Sequence, residues 1–117
     1  MLQDQCLPAV QRLGAIADVA VFQGRIADIL QKRGQLDEAL RILTDEVLGV
    51  FERRGNMHGI LVCRTKIALT LLDRGRADER ARAKELLCLA LTDARRLRIP
   101  EAQQIEAFLQ HFEMTCG

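Results

Sequence analysis

The sequence predicts an all-α protein in which antiparallel helical hairpins stack side by side and a final helix caps the stack. Three observations support this prediction. The 117 residues are rich in Leu, Ala, Arg, Glu and Gln and include only two Pro, a composition that favours helices. One stretch of sequence recurs at a spacing of 41 residues. Glycines interrupt the helix-forming sequence at matching places in both copies, as expected for helix ends.

The repeat aligns residues 7–38 with residues 48–79. The match includes the glycines that would punctuate helices, so it follows structure as well as leucine content. Identical pairs include the following: Leu7/Leu48, Arg12/Arg53, Gly14/Gly55, Ile26/Ile67, Ala27/Ala68, Leu30/Leu71, Arg33/Arg74, Gly34/Gly75, Asp37/Asp78 and Glu38/Glu79.

The chain opens with a leading half-unit, residues 1–14, for which a short helix over residues 1–13 is predicted. The first full unit covers residues 15–55 and begins with a predicted helix over residues 15–33. Gly34 ends this helix, because glycine readily adopts the left-handed conformation that follows a helix end.

The second helix of this unit begins near Asp37 and Glu38, since the helix dipole stabilises negative charge in the first turn. It ends at Gly55 and Asn56. Its apolar residues are spaced three and four apart, which predicts one buried stripe: Leu36, Leu40, Leu43, Val47 and Val50.

The second unit covers residues 56–98. Its first helix is predicted over residues 57–74 and ends at Gly75, and Asp78 with Glu79 opens the next helix. One face of that helix is small and apolar: Ala83, Leu87, Ala90 and Ala94.

The capping helix is assigned to residues 100–115. Pro100 is compatible with the first turn of a helix but not with its interior, so the helix starts there or at Glu101. Its apolar stripe consists of Ile105, Phe108, Leu109 and Phe112.

The first helix of each unit is apolar around most of its circumference. Such a helix should be covered on more than one side, as happens when hairpins stack. In the first unit the residues are Ile16, Val19, Val21, Phe22, Ile26, Ile29 and Leu30, and in the second they are Ile60, Val62, Ile67, Ala68, Leu71 and Leu72.

These units resemble tetratricopeptide (TPR) repeats, in which small residues let two helices approach and bulky residues fill the gap. The matching patterns are Ile26-Ala27-x-x-Leu30 with Ala39-x-x-x-Leu43, then Ile67-Ala68-x-x-Leu71 with Ala83-x-x-x-Leu87, and the turn Gly34-x-Leu36-Asp37-Glu38-Ala39-Leu40. The period of 41 is similar to the longer bacterial-type repeats, and the family's Trp and repeat-closing Pro are absent. The resemblance implies a right-handed α-solenoid.

No pattern for chemistry is visible, so the sequence predicts a non-enzyme with no catalytic residues, no cofactor and no metal. His58 and Cys63, like His111 and Cys116, are five residues apart, a poor spacing for two ligands on one helix face. The favoured interpretation is an exposed histidine near a helix start together with a packed thiol. A metal pair is the alternative.

The net charge of +1 gives no overall electrostatic reason to expect nucleic acid or an acidic membrane surface. The segment from Arg74 to Arg98 is nevertheless basic, with eight basic and four acidic residues, whereas residues 99–117 contain three Glu and no Lys or Arg. Nucleic-acid binding through this segment is the least favoured hypothesis, because no aromatic residues that could stack on bases lie nearby.

The leading functional hypothesis is an interaction module that binds a peptide or helix of a protein partner on its concave face. In stacked hairpins the first helix of each unit lines that face. The alternative is a structural terminal segment of a longer solenoid, which self-associates through Leu7, Val10 and Leu13. The predicted partner-binding residues are Val21, Asp28, Gln31, Lys32, Val62, Thr65, Leu69, Leu72 and Asp73. Leu69 and Leu72 could instead be covered by the capping helix.

The four cysteines form no C-x-x-C pair, and Cys63 and Cys88 lie in apolar runs where a reduced, buried thiol is expected. The first 13 residues lack the features of a signal peptide, and no apolar run is long enough to span a membrane. A cytoplasmic protein without a membrane partner is therefore predicted.

Overall fold

The computed structural model describes the backbone of residues 9–116 and the side chains of residues 19–116. Within this range the protein is all helical and contains no β-strand. The α-helices are α1 (Ala9–Lys32), α2 (Leu36–Arg41), α3 (Leu48–Arg54), α4 (Met57–Arg74), α5 (Arg80–Leu97) and α6 (Glu101–His111). A π-helical segment, Ile42–Val47, joins α2 and α3 into one continuous helix, the α2–α3 helix, and a 3-10 turn, Ala77–Glu79, precedes α5.

Each helix packs mainly against its neighbours in sequence. The α2–α3 helix packs against α1 on one side and α4 on another, and α5 lies between α4 and α6. The predicted all-α class is confirmed. The solenoid arrangement and the division into repeat units stay predictions.

The predicted helix ends at glycines are confirmed at three places. Gly34, Gly55 and Gly75 have φ values of 80°, 64° and 73°, in the left-handed region that a side chain disfavours. The backbone N–H of Gly75 donates to the carbonyl oxygens of Leu71 and Leu72, which would otherwise lack intrahelical partners.

The prediction of a helix break at Gly14 is wrong, because α1 runs without interruption from Ala9 to Lys32. A glycine inside a helix costs only about 1 kcal/mol relative to alanine, which is too little to interrupt two helix-forming segments. Residues 1–8 of the predicted leading helix lie outside the described residues.

The π-helical segment changes which residues of the α2–α3 helix are buried. The backbone N–H of Leu48 donates to the carbonyl oxygen of Leu43, five residues earlier, so the helix contains one extra residue per turn here. Leu43 and Val47 are buried as predicted, but Phe51 is buried where the regular spacing pointed to Val50.

Several alanines are buried in the core between the helices. The predicted alanines of the α1 and α4 patterns, Ala27 and Ala68, are 1% and 0% exposed. The small apolar face of α5 is also confirmed as core. Fully or almost fully buried alanines are found at Ala20, Ala27, Ala39, Ala68, Ala83, Ala90 and Ala94.

Enlarging one of these alanines should destabilise the protein. We expect Ala27→Leu to lower the free energy of unfolding by about 1–3 kcal/mol, because the added atoms must displace packed side chains. Ala107→Leu, the same change at an exposed position of α6, should alter it by less than about 0.5 kcal/mol. Urea denaturation measures both variants. Equal stabilities would contradict the packing of α1 described here.

The prediction that α1 is covered on more than one side is wrong. Val19, Val21, Phe22 and Ile29 are exposed, and the side chain of Ile16 lies outside the described residues. The corresponding helix of the second unit, α4, is covered on both sides, because the α2–α3 helix packs on one and α5 on another.

A disulfide bond joins Cys88 in α5 to Cys116 after α6, so the prediction of a reduced, buried Cys88 is wrong. Cys88 is half-buried and Cys116 is exposed, so the bond lies at the surface of the protein. Between them Met114 is buried at 8% exposure, and Arg80 donates a hydrogen bond to the carbonyl oxygen of Phe112. The segment after α6 is therefore held against α5.

Reducing the disulfide should destabilise the protein. The cysteines are 28 residues apart, and a loop of this length corresponds to about 3.5 kcal/mol in chain-entropy estimates. Thermal denaturation with and without dithiothreitol should show the loss. The double variant Cys88→Ser, Cys116→Ser lacks the bond, so it should melt near the temperature of the reduced chain both with and without dithiothreitol. An unchanged melting temperature on reduction would show that the bond contributes nothing.

No helix in the described part of the chain is long and apolar enough to cross a membrane. The cytoplasmic location stays a prediction, and a disulfide is more typical of proteins in an oxidising compartment.

Candidate functional site

A groove with a volume of about 250 Å³ lies between three helices, α1, α4 and α6. Its floor and walls are mostly apolar, and polar side chains border it. We call this cavity the groove. Its lining residues are Asp28 and Gln31 from α1, Leu61, Val62, Thr65, Lys66 and Leu69 from α4, and Glu101, Gln104, Ile105 and Phe108 from α6.

The structure brings together five of the nine side chains predicted to bind a partner: Asp28, Gln31, Val62, Thr65 and Leu69. Val21 lines a neighbouring cavity instead. Lys32 and Asp73 are exposed and Leu72 is half-buried, and none of these three lines the groove.

The neighbouring cavity, of about 240 Å³, continues the concave surface towards the start of α4. Val62 and Lys66 line both cavities and form the division between them. The π-helical segment contributes Leu43 and Val47 to this second cavity. The two cavities therefore form one interrupted surface along α4.

The polar groups on the α1 side of the groove are paired with each other. The Lys66 Nζ lies 3.0 Å from the Asp28 Oδ2, an ion pair between α4 and α1. Gln31 is half-buried, and its Nε2 donates to the Asp73 Oδ2 over 2.7 Å. Thr65 donates to the Leu61 carbonyl oxygen over 2.8 Å within α4. These contacts fix α1 against α4 and leave the apolar floor between them accessible.

The third wall of the groove is α6, for which the sequence predicts a capping role. Ile105 is buried, whereas Phe108 is half-buried and faces the groove together with the half-buried Leu69. The helix therefore walls the groove without closing it over Leu69. The apolar residues Ile105 and Phe108, which the sequence places on one side of this helix, are the feature from which a wall of the groove could have been predicted.

A side-chain hydrogen bond ties the start of α6 to the start of α4. The His58 Nε2 lies 2.5 Å from the Glu101 Oε2. The hydrogen bond to His58 is the main cause that holds the pKa of the Glu101 carboxyl below its ordinary value of 4.5, and a backbone hydrogen bond acts in the same direction. The contact stabilises the charged carboxylate at the rim of the groove.

The stabilisation from Glu101 should depend on pH. Because its pKa is lower in the folded chain, the contribution is complete above about pH 4.5 and is lost as the pH falls through the folded value. Glu101→Gln should therefore melt at a lower temperature than the unmodified chain at pH 7, by an amount corresponding to at most about 1 kcal/mol. Below about pH 4 the difference should shrink. A constant difference from pH 3 to pH 7 would contradict this role of the carboxylate.

No group of three or more His, Cys, Asp or Glu side chains within the described residues could hold a metal ion. His58 is exposed and contacts Glu101, while Cys63 is buried, and its Sγ donates to the Leu43 carbonyl oxygen over 3.4 Å. Burial raises the pKa of the Cys63 thiol to about 12, so it is protonated and unreactive at neutral pH. His111 packs edge-on against Phe112. The paired-ligand alternative is not supported at either histidine.

Four of the eight basic side chains between Arg74 and Arg98 have partners among the described residues. Arg74 pairs with Asp37 and Glu79, and Arg95 pairs with Glu106. Arg96 pairs with Asp93, and Arg80 donates to the Phe112 carbonyl oxygen. These contacts reduce the positive charge that the segment presents to a nucleic acid.

Comparison of the chain with protein-family models, with curated proteins and with solved structures finds no match. The resemblance to TPR repeats therefore stays a prediction from the sequence patterns, and the groove has to be interpreted from its own geometry.

Proposed function

We propose that the protein is a non-enzymatic interaction module that binds a short segment of another protein in the groove. The bound segment is an amphipathic helix or an extended peptide that inserts a large apolar side chain between α4 and α6. The observation that supports this function best is an accessible apolar floor surrounded by polar side chains that are already paired.

The size of the groove supports a side-chain anchor more than a small-molecule ligand. Its volume of about 250 Å³ is below the roughly 300–1,000 Å³ that is usual for small-molecule sites. A protruding leucine or phenylalanine of a partner would bury its surface against Leu69 and Phe108. Burial of one such side chain contributes about 1.5–3 kcal/mol.

The charges at the rim support a partner selected by shape and apolar contact. Lys66 is paired with Asp28, and Glu101 is hydrogen-bonded to His58, so the charged groups at the rim already have partners within the chain. The resemblance to TPR repeats points to the same face, because the first helix of each unit lines the concave surface in stacked hairpins.

Selection of binding peptides from a displayed random library against the full chain tests this function. The selected peptides should share a large apolar residue, and Leu69→Asp should weaken their binding at least about tenfold, because a carboxylate would replace the apolar wall. Leu89→Asp is the matched control, since Leu89 is an exposed leucine of α5 away from the groove.

A second variant separates loss of binding from loss of folding. Gln104 is exposed at the edge of the groove, so Gln104→Trp should fill the groove while the melting temperature changes little. Peptides that bind the Leu69→Asp and Gln104→Trp variants as tightly as the unmodified chain would exclude the groove as the binding site.

A further inference from the structure

The outward side of α1 carries a row of exposed apolar side chains. Val19, Phe22 and Ile29 are 55%, 64% and 51% exposed, and the half-buried Ile26 lies between them. Their spacing of three, four and three residues places all four on one side of the helix. We call these four residues the outer stripe. It lies on a different side of α1 from the groove residues Asp28 and Gln31.

The repeat shows how the same stripe is covered one unit later. At a spacing of 41 residues the outer stripe corresponds to Ile60, Cys63, Ile67 and Thr70 of α4. All four of these residues are buried. The α2–α3 helix packs against α4, and the Cys63 Sγ donates to the Leu43 carbonyl oxygen of that helix. The stripe on α4 is therefore a surface on which an amphipathic helix lies.

Basic residues of α1 and α4 also align at the spacing of 41 residues. Lys66 and Arg74 of α4 correspond to Arg25 and Arg33 of α1. Lys66 pairs with Asp28 of α1 over 3.0 Å. Arg74 pairs over 2.8 Å with Asp37 of the covering α2–α3 helix, and also with Glu79, so the covering helix supplies a carboxylate to one of the two cations.

Arg25 and Arg33 are exposed, and within residues 19–116 neither forms an ion pair. The two residues are eight positions apart, which corresponds to about 12 Å along a helix. The outer stripe on α1 thus has apolar residues and cations like those of the stripe on α4. Within residues 19–116 it has no helix lying on it and no carboxylates paired with its cations.

We propose that the outer stripe binds an amphipathic helix of a partner protein whose apolar face is bordered by carboxylates, two of which pair with Arg25 and Arg33. Charge complementarity selects this occupant over a second copy of the chain. A symmetric pair of α1 helices would place Arg25 beside its own copy near the two-fold axis. The helices of a second copy that could otherwise cover the stripe, α2–α3 and α5, are already covered by α4 and α6. The proposal does not depend on the groove.

Two families of synthetic helical peptides test this assignment. The families share the same apolar positions, filled with Ala, Val or Leu in different members, and differ only in whether Glu or Lys borders the apolar face. Fluorescence anisotropy with the full chain should show that the best Glu-bordered peptide binds about tenfold more tightly than its Lys-bordered counterpart, as expected for two charge pairs. The double variant Arg25→Glu, Arg33→Glu should reverse this preference.

Two further variants place the binding on the outer stripe. Phe22→Asp should abolish binding of the Glu-bordered peptide, and its circular dichroism should be unchanged because Phe22 is exposed. Leu69→Asp, in the groove, should leave the affinity unchanged.

Three results would overturn the proposal. The first is that no peptide of either family binds, and the second is that binding is insensitive to the border charge or to the Arg25 and Arg33 reversals. The third comes from sedimentation of the chain alone. A concentration-dependent dimer that Phe22→Asp abolishes would assign the stripe to a second copy.

Discussion

The burial of α4 on two sides is the constraint on which the rest of the structure depends. Its buried residues extend around more than half of its circumference, from Cys63 and Thr70 on one side to Leu61 and Ala68 on the other. No single neighbour can cover such an arc, so α4 needs both the α2–α3 helix and α5. Alanines are among the buried residues of the helices that pack on α4, as at Ala39 and Ala83, and small residues allow helices to pack closely. The remaining side of α4 faces the groove.

The groove lies along this third side of α4, between α1 and α6. On one side the ion pair of Lys66 with Asp28 holds α1 at the edge of the groove, and on the other His58 and Glu101 hold the start of α6. The apolar residues between these pairs, such as Leu69 and Phe108, are left only half-buried. The same polar contacts that hold the helices in place therefore also occupy the polar groups at the rim, which leaves the apolar floor as the surface without partners in the groove.

The two repeat units have related sequences but different surroundings. Ile67 and Thr70 of α4 are buried, and the α2–α3 helix packs against α4, whereas the related residues of α1 are half-buried (Ile26) and exposed (Ile29). The far end of the chain is different again, because α6 and the segment tied down by the Cys88–Cys116 bond cover α5. Related local patterns thus produce a core surface on α4 and a largely exposed surface on α1.

The sequence by itself determined the features that depend on local physics. Helix-forming composition, glycines able to adopt positive φ at Gly34 and Gly75, and apolar spacing predicted the class, most helix bounds and the buried alanines. Only the tertiary structure decided the features that depend on distant residues: the π-helical segment that buries Phe51, the disulfide, the exposure of Phe22 and the role of α6 as a wall. Periodicity states which side of a helix is apolar, but whether another helix covers that side depends on contacts between residues far apart in the sequence.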